Sequence, residues 1–121
     1  MATHERRILL VEDEATLRET LRWALEDEGL SVVEAVDGLD AVERASAEEP
    51  SLVVLDMGLP GLDGYGVAQA LRSRYGAALP ILVVTADGRA MEKAQRCGAY
   101  AYLHKPFDIQ RFVTQVLQGL G

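Results

Sequence analysis

Five short apolar runs punctuate the chain, at Arg7–Val11, Ser31–Ala35, Ser51–Leu55, Pro80–Val84 and Ala99–Leu103. Each is too short for a stable helix, and together they predict five strands. Ile8-Leu9-Leu10-Val11 and Leu52-Val53-Val54-Leu55 are uninterrupted, the pattern of strands covered on both faces. Between the runs the apolar period lengthens. Leu17, Leu21, Ala24 and Leu25 fall at i, i+4, i+7 and i+8, one stripe of a helix, which Gly29 ends. Further helices are predicted over Leu39–Glu48, with Ala41, Val42 and Ala45 inward and Pro50 as a stop, and over Gly66–Arg74, with Val67, Ala70 and Leu71 inward. A short one follows over Arg89–Arg96, and a last one over Ile109–Leu117 carries Ile109, Phe112, Val113, Val116 and Leu117.

Strand and helix alternate throughout, so the strands are expected to run parallel with right-handed crossover helices. The predicted fold class is a doubly wound α/β fold, a five-stranded parallel sheet with helices on both faces. In such sheets a site lies beyond the carboxyl ends of the strands, at the topological switch point. A length of 121 residues suits one domain, here 1–121, and the chain shows neither an internal repeat nor a low-complexity stretch.

Composition narrows the function classes. Hydrophobic residues make up 49% and charged residues 26%, enough for a globular core without disulfides or structural metal. Nineteen acidic against twelve basic residues leave a net charge of -7, which opposes direct binding to nucleic acid. The single cysteine, Cys97, has no partner for a bridge and is expected to be buried. No long apolar run or charged-then-apolar leader is evident, so no membrane association is expected and the cytoplasm is the expected compartment.

The chemistry collects at the predicted strand ends: Glu12-Asp13-Glu14 after the first, Asp56 after the third, Thr85-Ala86 after the fourth and His104-Lys105-Pro106 after the fifth. Glu12, Asp13 and Asp56 would converge at the switch edge, where like charges repel unless protons or a cation compensate. A hard, oxygen-coordinated dication such as Mg²⁺ suits that set. Asp13 and Glu14 also suit the first turn of a helix as capping acids. Lys105 adds an ammonium and Thr85 a hydroxyl donor, completing a pocket in which a carboxylate could attack phosphorus while positive charge neutralises the equatorial oxygens.

Val54-Leu55-Asp56-Met57-Gly58-Leu59-Pro60-Gly61-Leu62-Asp63-Gly64 resembles the phosphoacceptor segment of bacterial response-regulator receiver domains. Ile8–Glu14, Leu82–Ala86 and Lys105-Pro106-Phe107 resemble the family's acidic-pair strand, Thr-Ala strand end and Lys-Pro-Phe turn, in the family's order. The resemblance implies the flavodoxin-like strand order 2-1-3-4-5 and a phosphorylation-dependent switch rather than a conventional enzyme. It implies that Asp56 is the phosphoacceptor, and that Glu12, Asp13, Asp56 and the Gly58 carbonyl hold Mg²⁺ or Mn²⁺. It further implies that Lys105 contacts the phosphoryl group, that Thr85 and Tyr102 form the switch pair, and that the Lys105–Pro106 bond is cis. The implied partners are a histidine kinase or histidine phosphotransfer protein as donor, and an output protein or domain reached through helix four, strand five and helix five.

Some features stand apart from that pattern. The segment between Thr85 and Lys105 is shorter than the family's by roughly half a helical turn, so helix four is expected to be brief. Asp87 is expected to be a turn residue beside Gly88, with a charge near the phosphoryl group as the alternative. Arg89, Lys93 and Arg96 form a basic stripe, read as a solvated face or a partner surface. Trp23 lies off the apolar stripe of helix one and is expected to pack against a neighbour, with partial exposure as a docking surface the alternative. His4 and His104 have no metal-ligand spacing. Two rival functions remain: a flavodoxin-like mononucleotide binder, against which the anionic Asp13-Glu14-Ala15-Thr16 argues, and an aspartate-nucleophile phosphatase, which would need an acid where Gly58 stands.

Overall fold

The computed structural model describes residues 6–58 and 63–121. Strands β1 (Arg7–Val11), β2 (Ser31–Ala35), β3 (Leu52–Asp56), β4 (Ile81–Thr85) and β5 (Ala101–His104) alternate with helices α1 (Ala15–Glu26), α2 (Gly38–Ala47), α3 (Gly64–Tyr75), α4 (Ala90–Cys97) and α5 (Ile109–Leu120). All pairings are parallel, and the order across the sheet is β2-β1-β3-β4-β5. The order reverses at β1 and β3, so the carboxyl ends of these two strands flank the crevice where such folds place their chemistry.

Side chains alternate between the faces of a strand, and here each face buries its own layer. Leu9, Val11, Val53, Leu55, Ile81 and Val83 pack with Ala41 and Ala45 of α2, Val67 and Leu71 of α3, and Ala94 and Cys97 of α4. Ile8, Leu10, Leu52, Val54, Leu82 and Val84 pack with Leu21 and Leu25 of α1 and Phe112, Val113 and Val116 of α5. β3 and β4 are buried along their whole length, and all but the first residue of β1 is buried. β2, at the sheet edge, is only partly covered over its first four residues.

Several boundaries differ from the sequence reading, each for a local reason. β3 and β4 each run one residue later than their apolar content suggested, because the parallel register carries the polar Asp56 opposite Val84 and Thr85 opposite His104. The third helix starts earlier, at Gly64, since Asp63 caps it by accepting from the Gly66 N–H at 2.8 Å. Gly64 is favoured by a close approach rather than by a turn: a Cβ there would displace the flexible Met57 thioether and lie 3.3 Å from the Met57 Cα. Ala68, not Ala70, joins Val67 and Leu71 inside. Helix four forms despite the shortened segment and ends on Gly98 in the left-handed region, φ 65° and ψ 30°. Arg72 anchors that end: its guanidinium donates to the carbonyls of Cys97 at 3.1 Å, Gly98 at 2.6 Å, Ala77 at 2.9 Å and Leu79 at 3.0 Å.

Trp23 is 54% exposed, which matches the partial exposure the sequence left open and not the packing against a neighbour that it favoured. Its ring lies only at the edge of reach of the Arg22 guanidinium, 6.0 Å away. Cys97 is buried as expected, and burial pushes its thiol pKa up. The Lys105–Pro106 peptide is cis. His4 and Pro60 lie outside the described residues.

Candidate functional site: an acidic pocket at the strand ends

Backbone pairing at the strand ends places Glu12 and Asp56. Glu12 directly follows β1, and its N–H donates to the Ala35 carbonyl at the end of β2, 3.1 Å away. Asp56 closes β3 and is buried. Glu12 is also buried, whereas Asp13 is exposed. One carboxylate oxygen from each of Glu12, Asp13 and Asp56 lies within 4.8 Å of the other two. Three hard oxygen donors at that spacing fit a small dication that keeps part of its water shell. The chemistry of the donor set therefore agrees with the expected Mg²⁺ or Mn²⁺.

Lys105 reaches into this cluster. Its Nζ stands 2.9 Å from Glu12 Oε1 and 3.0 Å from Asp56 Oδ2. Burial works to lower the Lys105 pKa, but hydrogen bonds and charge from the two carboxylates outweigh it and the net shift is upward. At Glu12, by contrast, burial prevails and raises the pKa, because one ammonium shared with Asp56 does not offset the loss of solvent and the neighbouring negative charge. The remaining Glu12 oxygen, Oε2, accepts from the Glu14 N–H at 3.1 Å.

Asp56 Oδ1 accepts from the Gly58 N–H at 2.9 Å. The observed contact of Gly58 with the site is thus through its amide. Glu14 is not a member of the acid cluster; it caps α1, its Oε2 accepting from the Leu17 N–H at 3.2 Å. That answers the sequence ambiguity about the two acids: Glu14 caps and Asp13 joins the pocket.

Thr85 is buried at the end of β4, and its hydroxyl oxygen accepts from the Asp87 N–H at 3.1 Å. Asp87 is the turn residue the sequence favoured, with Oδ1 accepting from the Arg89 N–H at 2.9 Å and Oδ2 paired with Lys93 Nζ at 3.3 Å. The Arg89 amide, followed by Lys93, holds its carboxyl below the ordinary range. The basic stripe of α4 is therefore partly engaged within the chain: Lys93 on Asp87, and Arg96 over the Tyr65 ring of α3 at 4.0 Å. Tyr102 is 41% exposed on β5, opposite Val83 in the register. Among the described residues the sequence reading missed Arg18, whose Nη1 donates to the Glu12 carbonyl at 2.9 Å. Nothing in its spacing signals this, because the contact depends on how α1 settles on the sheet.

A doubly wound α/β domain with three converging carboxylates and a lysine at its switch point is consistent with a phosphoryl-accepting signalling switch. The chain is a member of the response regulator receiver domain family, whose pattern matches residues 8–117. It is therefore a signalling domain of two-component systems, not a conventional enzyme, and domains of this family partner with histidine kinases.

Among its relatives, the transcriptional regulatory protein PdtaR of Mycobacterium tuberculosis is 38% identical over 112 residues, covering 92% of this chain and 55% of the relative. The response regulator MprA of Mycobacterium leprae is 41% identical over 112 residues, covering 91% of this chain and 49% of the relative. The chain thus spans about half the length of these curated relatives. The solved receiver domain of NtrX from Brucella abortus superposes with a TM-score of 0.85 at 30% identity, over 93% of this chain and 97% of that one. Among the described residues, no helix is long and apolar enough to cross a membrane.

Proposed function

We propose that residues 1–121 act as one receiver domain in the cytoplasm, a switch phosphorylated on Asp56. The observation that carries this reading is the convergence of Asp56 with Glu12, Asp13 and Lys105 at one strand-end pocket. The donor is a phosphohistidine on a histidine kinase or histidine phosphotransfer protein. One carboxylate oxygen of Asp56 bonds to phosphorus as the P–N bond to the donor imidazole breaks, and the imidazole leaves with the bonding pair and takes up a proton. Glu12, Asp13, Asp56 and the Gly58 carbonyl would hold Mg²⁺ or Mn²⁺. When bound, the dication supplies positive charge to the equatorial oxygens during transfer.

The chain's own residues do the rest. Lys105 turns from its two carboxylates toward the new anionic oxygens, and the Gly58 N–H steadies the acceptor. Thr85 turns its hydroxyl to donate to the phosphoryl group, and Tyr102 moves inward on the neighbouring strand. That change passes through α4, β5 and α5 to an output protein or domain. Water attack on phosphorus then breaks the bond to the Asp56 oxygen and returns the carboxylate.

The test is labelling by acetyl phosphate or a phosphorylated kinase. Asp56→Asn should remain folded and take no label. Label retained on that variant places the acceptor elsewhere and rejects the reading.

A further inference from the structure

Glu12 and Asp13 are joined by one peptide unit whose six atoms are held planar. The direction of the Glu12 carbonyl therefore sets how the chain leaves Glu12 and where the Asp13 side chain departs. That carbonyl is gripped by Arg18 of α1, with Nη1 at 2.9 Å. The same guanidinium is itself braced, its Nε lying 3.3 Å from Glu34 Oε1 on β2. Glu34 is held in turn by Arg22, whose Nε is 3.5 Å from Oε2. The Arg18 side chain is only 18% exposed, so the grip is partly shielded from solvent. On the opposite side of the same peptide run, the Glu12 N–H is tied to Ala35 of β2.

We infer that Arg18 is a positioning residue for the dication. By fixing the Glu12–Asp13 peptide against β2, it presents the exposed Asp13 carboxylate to the buried Glu12 and Asp56 carboxylates. This inference rests on the reading of the acid cluster as a metal site. Two simpler roles for Arg18 predict different behaviour. As a mere positive charge beside three carboxylates it would repel a cation, so its removal would tighten metal binding. As a mere staple between α1 and β2 it would affect melting temperature and leave metal affinity alone.

The full chain should be titrated with Mn²⁺, reading the free ion by its electron paramagnetic resonance signal, alongside acetyl phosphate labelling at graded metal concentration. Arg18→Met should weaken Mn²⁺ binding by roughly 10-fold, the scale seen when residues supporting metal ligands are removed. The metal concentration for half-maximal labelling should rise by the same factor, and excess metal should recover most of the labelling. Arg18→Lys keeps the charge but cannot span the Glu12 carbonyl and Glu34 together, so its affinity should fall between the two. Arg44→Gln removes a guanidinium that pairs with Asp40 of its own helix α2, apart from the Arg18–Glu34 brace, and should bind Mn²⁺ as the original chain does. Unchanged or tighter binding in both Arg18 variants overturns the inference while the metal reading stands. No Mn²⁺ binding by the original chain overturns both.

Discussion

Lys105 Nζ lies 3.0 Å from Asp56 Oδ2, so the ammonium occupies one edge of the carboxylate proposed to accept phosphoryl. The same ammonium holds Glu12 at 2.9 Å. Without a dication, this side chain relieves the repulsion between Glu12 and Asp56. Removing one partner of a largely buried charge pair typically costs about 3–5 kcal/mol, because the other charge is left uncompensated.

Lys105→Met should therefore be less stable than the original chain in chelator, and Mg²⁺ should raise its melting temperature by more than it raises that of the original. Paired thermal melts with and without metal measure this. Equal metal-induced shifts in the two proteins would show that Lys105 and the dication do not share the same carboxylates.

Asp13 and Glu14 are adjacent but do different work. Asp13→Ala should weaken Mn²⁺ binding severely, while Glu14→Ala should leave it near the original value. The second change removes the α1 cap on the Leu17 amide and should cost about 1 kcal/mol in stability by denaturant titration. A larger affinity loss at Glu14 than at Asp13 would reverse the assignment.

The Thr85 hydroxyl oxygen already accepts from the Asp87 amide, which leaves its proton free to donate to a phosphoryl oxygen. Moving a two-state equilibrium from about 1:99 to 99:1 takes roughly 5.5 kcal/mol. One bond to a charged group supplies only about 1.5–3 kcal/mol. Thr85→Ala should thus still be labelled but give a smaller beryllofluoride-induced change in the NMR shifts of α4 and β5. A full response in this variant would mean that Lys105 and backbone donors drive the output face without Thr85.

Asp87 offers a pH test at the same loop. Its folded-state pKa is depressed below the ordinary 3.8, first by the Arg89 amide and then by Lys93. For a depressed acid, the stabilising contacts are present above the unfolded-state value and are lost as pH falls through the folded-state value. The Asp87 carboxyl should therefore titrate below 3.8 by NMR, with the Arg89 amide reporting the same midpoint. Lys93→Ala should raise that midpoint only in part, since the amide contact survives. A midpoint unmoved by Lys93→Ala would remove the ion pair from the account.

The doubly wound fold was legible in the sequence because buried parallel strands impose continuous apolar runs and surface helices impose a longer period. Both signals are local and survive without knowledge of neighbours. The residues of the pocket were legible for a related reason: Glu12, Asp56, Thr85 and Lys105 sit directly at strand ends, so chain direction alone brings them to one edge of a parallel sheet. What only the tertiary structure decided depends on contacts between segments distant in sequence. The separation of Asp13 from Glu14 followed from the capping geometry of α1, and the preference for glycine at position 64 from the approach of Met57. The engagement of Lys93 and Arg96 and the exposure of Trp23 required knowing which surfaces face one another. Arg18 was the least legible, because a guanidinium on an exposed-looking helix position meets the Glu12 carbonyl only once α1 has docked beside β1 and β2. Periodicity reports which face of an element is buried; it carries no information about which backbone carbonyl a long polar side chain will reach.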